Sequence, residues 1–216
     1  MRSIKNYLNE SIENEDYLNE SALDMEGDKA EIIKWIRDNF SVSGRLTITK
    51  DFVVDCSGSV DVKNESITSL TNGKFKWGKI NMNFGCSYCD NLTSLEGAPK
   101  SVGRDFDCSN CTKLKSLEGA PEEVGGDFYC GYCVKLETLE GAPKSVGGGF
   151  YCESCINLKS LKGAPEKVEG VFNCNYCDKL TSLKGASKNV SGNFECRKCN
   201  NLKITDSDRK KYKIIY

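Results

Sequence analysis

A 22-residue repeat constrains this chain more than any other feature of its sequence. Twelve of its 13 cysteines form six Cys-x-x-Cys pairs, and each pair begins 22 residues after the previous one. The pairs begin at Cys86, Cys108, Cys130, Cys152, Cys174 and Cys196. A single unit of this length cannot bury its own apolar side, so such units stack on one another. The sequence therefore predicts a repeat solenoid.

Other residues keep the same phase as the cysteines. A phenylalanine stands two residues before every pair, and a Leu-x-x-Leu segment such as Leu114–Leu117 recurs with the same period. The alternation in Asp127-Phe128-Tyr129-Cys130 predicts a short strand with Phe128 and Cys130 inward and Tyr129 outward. Glycines before this strand and Glu-Gly-Ala-Pro after the second leucine predict the turns.

These motifs resemble the short bacterial leucine-rich repeats, whose pattern includes Leu-Thr-Ser-Leu-Pro. Leu92-Thr93-Ser94-Leu95 and Phe128-x-Cys130-x-x-Cys133 carry the resemblance, which covers residues 84–204. The units differ in being slightly longer, in using Phe and Cys for Leu and Val, and in placing Cys at the usual Asn position. The resemblance implies an α/β repeat solenoid, leucine-rich-repeat-like, with one short parallel strand per repeat.

Upstream of the regular repeats the periodicity decays. Val54–Ser59 resembles a degenerate unit in which Ser59 replaces the second cysteine, and about eight residues are then inserted before Cys86. Apolar residues at helical spacing over Asp28–Phe40 predict an amphipathic helix that caps the open end. We expect an acidic arm or propeptide over 1–27, a helical cap with a degenerate repeat over 28–60, the solenoid over 61–204 and a C-terminal cap over 205–216.

Composition excludes several classes of function. The chain has no histidine, which excludes a Ser-His-Asp or Cys-His nucleophile and every zinc site that contains histidine. Its 30 basic residues nearly balance 31 acidic ones, so overall charge indicates neither nucleic acid nor an anionic membrane. No apolar run is long enough for a transmembrane helix, and no secretory signal is evident. We expect an intracellular, reducing environment, no membrane partner and no enzyme activity.

Three interpretations of the cysteine pairs remain open. In the first, both cysteines lie in buried ladders, where Cys acts as a small apolar residue with a weak S–H donor. In the second, two pairs bind zinc through four thiolates, since 22 residues is close to a usual spacing between such pairs. In the third, the pairs are redox-active or form disulfides. We favour the buried ladder and therefore expect no cofactor and no metal.

The function predicted from the repeat is protein binding. The leucine-rich-repeat resemblance implies recognition through outward residues of the concave strand face, where the sequence varies while the core positions repeat. Lysine and arginine on this face are almost confined to Arg197-Lys198, which argues against nucleic acid. The candidate partner-binding residues are Tyr88, Asp105, Asp107, Asp127, Tyr129, Tyr132, Tyr151, Asn173, Tyr176 and Glu195.

The first residues carry a second resemblance. Met1–Ser11 is similar to the capsid-targeting propeptide of internal head proteins in T-even-type bacteriophages, although Arg2 stands where lysine is usual. Those propeptides end with an aromatic residue, an aliphatic residue, any residue and Glu. The resemblance implies processing after Glu10 and Glu20, packaging in the capsid interior and delivery to the host cytoplasm. It makes the chain a candidate phage effector or, alternatively, a structural component of the virion.

Overall fold

The computed structural model describes residues 20–216, with side chains from Glu26 onward. Two sheets run along a solenoid. Sheet A contains, in spatial order, β1 (Phe40–Val42), β4 (Val60–Val62), β6 (Phe84–Gly85), β8 (Phe106–Asp107), β10 (Phe128–Tyr129), β12 (Phe150–Tyr151), β14 (Phe172–Asn173), β16 (Phe194–Glu195) and β17 (Ile214–Ile215). Sheet B contains β2 (Leu46–Ile48), β3 (Val53–Cys56), β5 (Lys76–Ile80), β7 (Ser101–Val102), β9 (Glu123–Val124), β11 (Ser145–Val146), β13 (Lys167–Val168) and β15 (Asn189–Val190).

The predicted solenoid and its strand are confirmed. From β4 onward, each sheet A strand pairs in parallel with its counterpart one repeat away, so that Phe128 lies beside Phe106 and Phe150. The structure adds a second two-residue strand to each repeat: Val124 of sheet B pairs with the neighbouring repeats in the same way. The chain therefore turns between two short strands in every repeat, and helices are confined to its ends in the described residues.

The core is a set of columns that run through the stack. Phenylalanine rings from successive repeats stack with centroids 4.7–5.8 Å apart, and all of these rings are fully buried. Leucine and cysteine columns lie beside them, equally buried. Since the spacing between paired strands is about 4.8 Å, one side chain per repeat fills each column without gaps.

The expected helical cap is present at the N-terminal end. Helix α1 (Glu20–Asn39) buries Ile32 and Ile36 completely against the first turn. The chain then enters sheet A through β1, which is antiparallel to β4. Because β1 is antiparallel, the parallel stack ends at β4. This end of the solenoid is therefore covered by α1 and β1 instead of by another repeat.

The register of the degenerate unit was predicted wrongly. Cys56 lies in sheet B, opposite Ile80, whereas Val60 lies opposite Phe84 in sheet A. Val60-Asp61-Val62 is therefore the counterpart of Phe84-Gly85-Cys86, and the interval from Val60 to Phe84 is close to one ordinary repeat. Cys56 holds a position that valine occupies in later repeats, so Ser59 does not stand in place of a second cysteine.

A short helix closes the C-terminal end. Helix α2 (Asp206–Lys211) starts with a capping box in which the side chains of Thr205 and Asp208 each accept a backbone N–H of the other. Tyr212 follows the helix and packs on Phe194, with ring centroids 4.8 Å apart. Its hydroxyl donates to the carbonyl of Ser187, 2.7 Å away, at the position that proline occupies in the earlier repeats.

Candidate partner-binding surface

The outward side chains of the sheet A strands form one column along the solenoid, which we call the sheet A surface. Its members are Asp61, Gly85, Asp107, Tyr129, Tyr151, Asn173 and Glu195. The predicted alternation is confirmed in the regular repeats: from Gly85 to Glu195, the phenylalanine and cysteine on either side of each member are buried, while the member itself is half-buried.

Two tyrosines in adjacent repeats dominate the middle of this surface. The rings of Tyr129 and Tyr151 are stacked, with centroids 4.9 Å apart and planes 12° from parallel. The hydroxyl of Tyr129 donates to Oδ2 of Asp127 at 2.7 Å. Burial raises the pKa of the Tyr129 phenol, and the bond to Asp127 raises it further, so the ring stays neutral and fixed. The pair is a rigid aromatic platform.

Asp105 and Asp127 precede the strands and bond to the backbone of the next repeat. Oδ1 of Asp105 accepts the N–H of Asp127 at 2.8 Å, and Oδ1 of Asp127 accepts the N–H of Gly149 at 2.6 Å. Asn83 makes the same contact with Asp105 at 3.2 Å. These carboxylates therefore hold adjacent repeats together, and Asp127 also positions Tyr129. Both were predicted as partner-binding residues, and in the structure each also accepts a backbone N–H of the next repeat.

Carboxylates also gather around the tyrosine pair. Burial raises the pKa of Asp61 and of Glu153, and the charge of Asp107 raises both further. Glu153, in the turn after Tyr151, has a buried Oε2 that makes no hydrogen bond. Toward the C-terminal end, Glu195 accepts a hydrogen bond from the side-chain amide of Asn175 at 3.2 Å. The platform thus lies in a region of concentrated negative charge.

A small pocket opens beside the platform where Gly85 lacks a side chain. It has a volume of about 230 Å³ and is lined by Asp61, Asp107 and Tyr129, among others. A Cβ atom at Gly85 would overlap the carboxylate of Asp61. Asp107 is also fixed, because its Oδ1 accepts the N–H of Ser109 at 2.8 Å.

Three further candidate tyrosines lie in the turns between the paired cysteines. Tyr88, Tyr132 and Tyr176 are 60%, 51% and 47% exposed, and each has a left-handed backbone with φ of 60°. They alternate along the stack with Asn110 and Ser154, which adopt the same conformation. Asn is enriched in this conformation, so Asn110 was a signal in the sequence for the left-handed turn that the sequence reading missed.

The remaining predicted residues have separate locations. Asn173 lies on the sheet A surface next to Tyr151, and its Oδ1 accepts the N–H of Asn175 at 3.0 Å. Glu10 lies outside the described residues, and Glu20 is the first residue of α1, with no described side chain. Sequence reasoning missed Asp61, because Cys56 was taken as the register marker, and it passed over Glu153 in the varied turn.

The twelve paired cysteines occupy two buried columns, as the favoured interpretation predicted. In every Cys-x-x-Cys repeat after the first, the Sγ of the second cysteine donates to the carbonyl of the first cysteine one repeat earlier, as from Cys133 to Cys108 at 3.2 Å. The same bond recurs in four other repeats at 3.0–3.3 Å. The second cysteine therefore donates a hydrogen bond to the backbone of the preceding repeat as well as filling the core.

Burial also opposes metal binding by these thiols. It raises the pKa of Cys130 and Cys155, whereas a zinc ligand must be a thiolate. Within residues 26–216, no group of three or more Cys, Asp or Glu side chains is placed to hold a metal ion. The geometry supports a packing role for the cysteine columns.

Comparison with protein-family models, with curated proteins and with solved structures found no match to this chain. Among the described helices, none has both the length and the apolar character needed to cross a membrane.

Proposed function

We propose that this protein is a non-enzymatic binding module whose sheet A surface binds a basic segment of a partner protein. The observation that carries the proposal is the stacked Tyr129–Tyr151 pair, held outward by Asp127 and surrounded by carboxylates. Tyrosine is enriched at protein interfaces because it offers a large contact area with little conformational freedom to lose.

The negative charge around the platform favours a partner segment that is positively charged. Asp61 and Asp107 lie toward the N-terminal end of the tyrosine pair, and Glu153 and Glu195 lie toward the C-terminal end. A lysine or arginine side chain of the partner would be attracted to these carboxylates and could also pack on a tyrosine ring. Arg197 and Lys198 would repel a basic segment, so the region that favours its binding is confined to the N-terminal and central repeats.

Side chains on and next to the sheet A surface are held in place before a partner binds. Asp127 and Asp107 already accept backbone N–H groups, so their carboxylates keep their places whether or not a partner is bound. Because the Tyr129 hydroxyl is hydrogen-bonded and its ring is stacked, binding immobilises few side chains. The parallel strands from β4 to β17 span about 34 Å, which accommodates a standard protein contact.

A pair of defined peptides tests the proposal. The probes are two synthetic peptides of equal length and aromatic content, one rich in lysine and arginine and the other rich in glutamate. We expect binding of the basic peptide only, weakened by salt and weakened about tenfold or more by Tyr129→Ala/Tyr151→Ala. Tyr216→Ala, which removes an exposed tyrosine at the end of the chain, is the matched control. Equal affinity of the wild type and the double variant would refute the assignment of this surface.

The phage part of the hypothesis depends on residues 1–19, which lie outside the described residues. We propose, from the resemblance of Met1–Ser11 alone, that the chain is a phage-encoded effector processed after Glu10 and Glu20 and delivered to the host cytoplasm. Intact mass of protein recovered from phage particles tests this: loss of residues 1–10 or 1–20 supports delivery, and an intact arm argues against it. A high and symmetric copy number in particles would favour the virion component instead.

A further inference from the structure

A groove with a volume of about 770 Å³ lies along three successive corners of the solenoid, each of which leads from a Leu-x-x-Leu-type segment toward sheet B. We call it the corner groove. Its lining comes from residues 68–77, 93–100 and 119–122, together with Asp51 and Phe52 of the turn between β2 and β3. The volume lies within the range of ordinary ligand pockets. No member of the sheet A surface lines this groove.

The first of these corners is longer than the regular ones. It follows Leu70, which ends an Ile-Thr-Ser-Leu segment equivalent to Leu92–Leu95, and it leads to Ile80, which pairs with Val102. The chain advances ten residues from Leu70 to Ile80 but only seven from Leu95 to Val102. Three extra residues therefore lie in this corner.

The long corner also packs less closely on the corner that follows it. A Cβ atom at Gly97 would lie 2.7 Å from the methyl group of Thr71 but 3.6 Å from its backbone nitrogen. At Gly119, one repeat later, the same atom would overlap the backbone of Leu95 and Glu96. The groove therefore opens where the regular stacking of corners is relaxed.

The long corner is fixed by contacts with the rest of the protein. The indole N–H of Trp77 donates to the carbonyl of Leu70 at 2.9 Å. Lys74 forms ion pairs with Asp28 and Glu31 of α1. This wall of the groove is therefore in place before a ligand binds, which reduces the entropy lost on binding.

Phe52 lines the groove with a backbone conformation that phenylalanine rarely adopts. Its φ is 54°, in the left-handed region, and its N–H donates to the carbonyl of Thr49 at 3.1 Å. Glycine or asparagine takes such a position at lower cost, whereas a bulky residue there is an outlier. The Phe52 side chain is only half-buried, so packing offsets only part of the cost. Backbone strain of this kind is concentrated at ligand-binding sites.

The polar lining carries nearly balanced charge. Lys74 is neutralised by its partners on α1. The other charged residues of the lining are Asp51, Lys76, Glu96, Lys100 and Glu122. Thr68 and Thr93 are exposed, and their hydroxyls make no hydrogen bond with the part of the chain that the structure describes. The groove thus offers donors and acceptors without selecting a cation or an anion.

We propose that the corner groove binds a neutral saccharide. A pyranose ring has an apolar C–H face that packs on an aromatic side chain such as Phe52. Its hydroxyls both donate and accept hydrogen bonds, as do the hydroxyls of Thr68 and Thr93. The carboxylates of the groove accept from sugar hydroxyls and the lysines donate to them, so both kinds of charged residue contribute without requiring a charged ligand.

Titration with neutral oligosaccharides tests the proposal. The probes are maltohexaose, cellohexaose and chitohexaose, and binding is measured by calorimetry and by the fluorescence of Trp77, which lines the groove. We expect at least one of them to bind with a Kd of about 1 mM or below, and added salt to leave that Kd unchanged because no net charge is neutralised. Absence of binding by all of these probes at about 10 mM would refute the proposal.

Replacing Phe52 by asparagine separates the ring from the stability of the fold. Phe52→Asn removes the aromatic ring and suits the left-handed backbone better, so the urea midpoint should stay the same or rise. We expect the affinity for the saccharide to fall about tenfold. Unchanged affinity together with a lower midpoint would assign the ring to packing alone and would contradict its place in the site.

A threonine outside the groove provides the matched control. Thr93 belongs to a Leu-Thr-Ser-Leu segment that recurs around Thr181, which does not line the groove. Thr93→Val should weaken saccharide binding about fivefold by removing one hydrogen bond, and Thr181→Val should leave it unchanged. Equal affinities of the two variants would place the saccharide elsewhere and refute the assignment. These probes are uncharged and these residues lie outside the sheet A surface, so this proposal and the binding of a basic peptide fail separately.

Discussion

The regular repeats and the N-terminal cap pack the same kinds of aromatic side chain in two different geometries. In the repeats, successive phenylalanine rings lie within 5–25° of parallel. In the cap, which here includes the chain through β5 to Ile80, Trp35, Phe40, Phe75 and Trp77 meet at 52–85°. Isolated aromatic pairs favour offset-stacked or edge-to-face contacts.

The difference shows what repetition imposes on a core. One phenylalanine per strand, at the spacing of about 4.8 Å between strands, leaves each ring room only to stack on its neighbour. The cap has no period, and its four rings come from a helix, two different strands and a loop. Trp35 belongs to α1, Phe40 to β1 and Trp77 to β5, while Phe75 precedes β5, so the rings approach from several directions and can meet at larger angles. Each interaction in the repeats occurs many times, whereas the cap depends on single contacts.

The largest expected effect is that the repeats unfold more readily at alkaline pH. Burial raises the pKa of the Cys89 thiol to about 12 and that of Cys196 to about 11. An unfolded thiol ionises near pH 8.5, so the stability from these buried thiols is complete below that pH and decreases as pH rises toward the folded-state values. A fully buried thiol such as Cys130 lowers the free energy of unfolding by about 1.4 kcal/mol per pH unit above it.

Urea unfolding at pH 7.5 and pH 10 measures this effect region by region. Both tryptophans lie in the cap, so their fluorescence follows the cap, while circular dichroism follows mostly the repeats. We expect the circular-dichroism midpoint to fall steeply at pH 10 and the fluorescence midpoint to fall less. A midpoint that is equal at the two pH values would contradict burial of protonated thiols in the repeats.

Glycine-to-alanine substitutions should lower the free energy of unfolding by different amounts in the two regions, and this difference is smaller than the effect of pH. Gly119 has φ of 88°, and a Cβ atom there would overlap the backbone of Leu95 and Glu96 in the preceding repeat. Gly73, before the regular repeats, has φ of 82° but has no atom within 4 Å of that position. We expect Gly119→Ala to lower the free energy of unfolding by about 3 kcal/mol and Gly73→Ala by about 1 kcal/mol, as measured in urea. Equal losses would show that only the backbone conformation matters.

The smallest expected difference concerns single cysteines. Cys133 donates its S–H to the carbonyl of Cys108 at 3.2 Å, whereas the sulfur of Cys56 accepts a hydrogen bond from the N–H of Gly58 at 3.4 Å. Both substitutions by alanine remove the same buried volume. Each substitution leaves one buried backbone group without its hydrogen-bond partner, the carbonyl of Cys108 in one case and the N–H of Gly58 in the other. We therefore expect the two variants to lower the free energy of unfolding by similar amounts, within about 0.5 kcal/mol, in thermal or urea unfolding. A clearly smaller loss at Cys133 would indicate that the S–H···O contact contributes nothing.

The sequence was enough to predict which side chains of the candidate site point outward, but not which of them bind the backbone of a neighbouring repeat. Alternation in Phe128-Tyr129-Cys130 was enough to place Tyr129 outward. The same pattern said nothing about whether Asp127 faces a partner or the next repeat. That depends on the backbone N–H of Gly149, which is 22 residues away in sequence and becomes a neighbour only when the repeats stack.

The sequence by itself determined the period, the solenoid and the inward residues of each regular repeat, because identical units at a fixed spacing can satisfy one another in only one way. Tertiary structure alone decided the register at the N-terminal end, where Cys56 joins sheet B and Val60 begins the sheet A ladder. It also decided which polar side chains accept hydrogen bonds from the backbone of the next repeat. Both decisions depend on neighbours that are distant in sequence, and where the period lapses no local pattern specifies which neighbours these are.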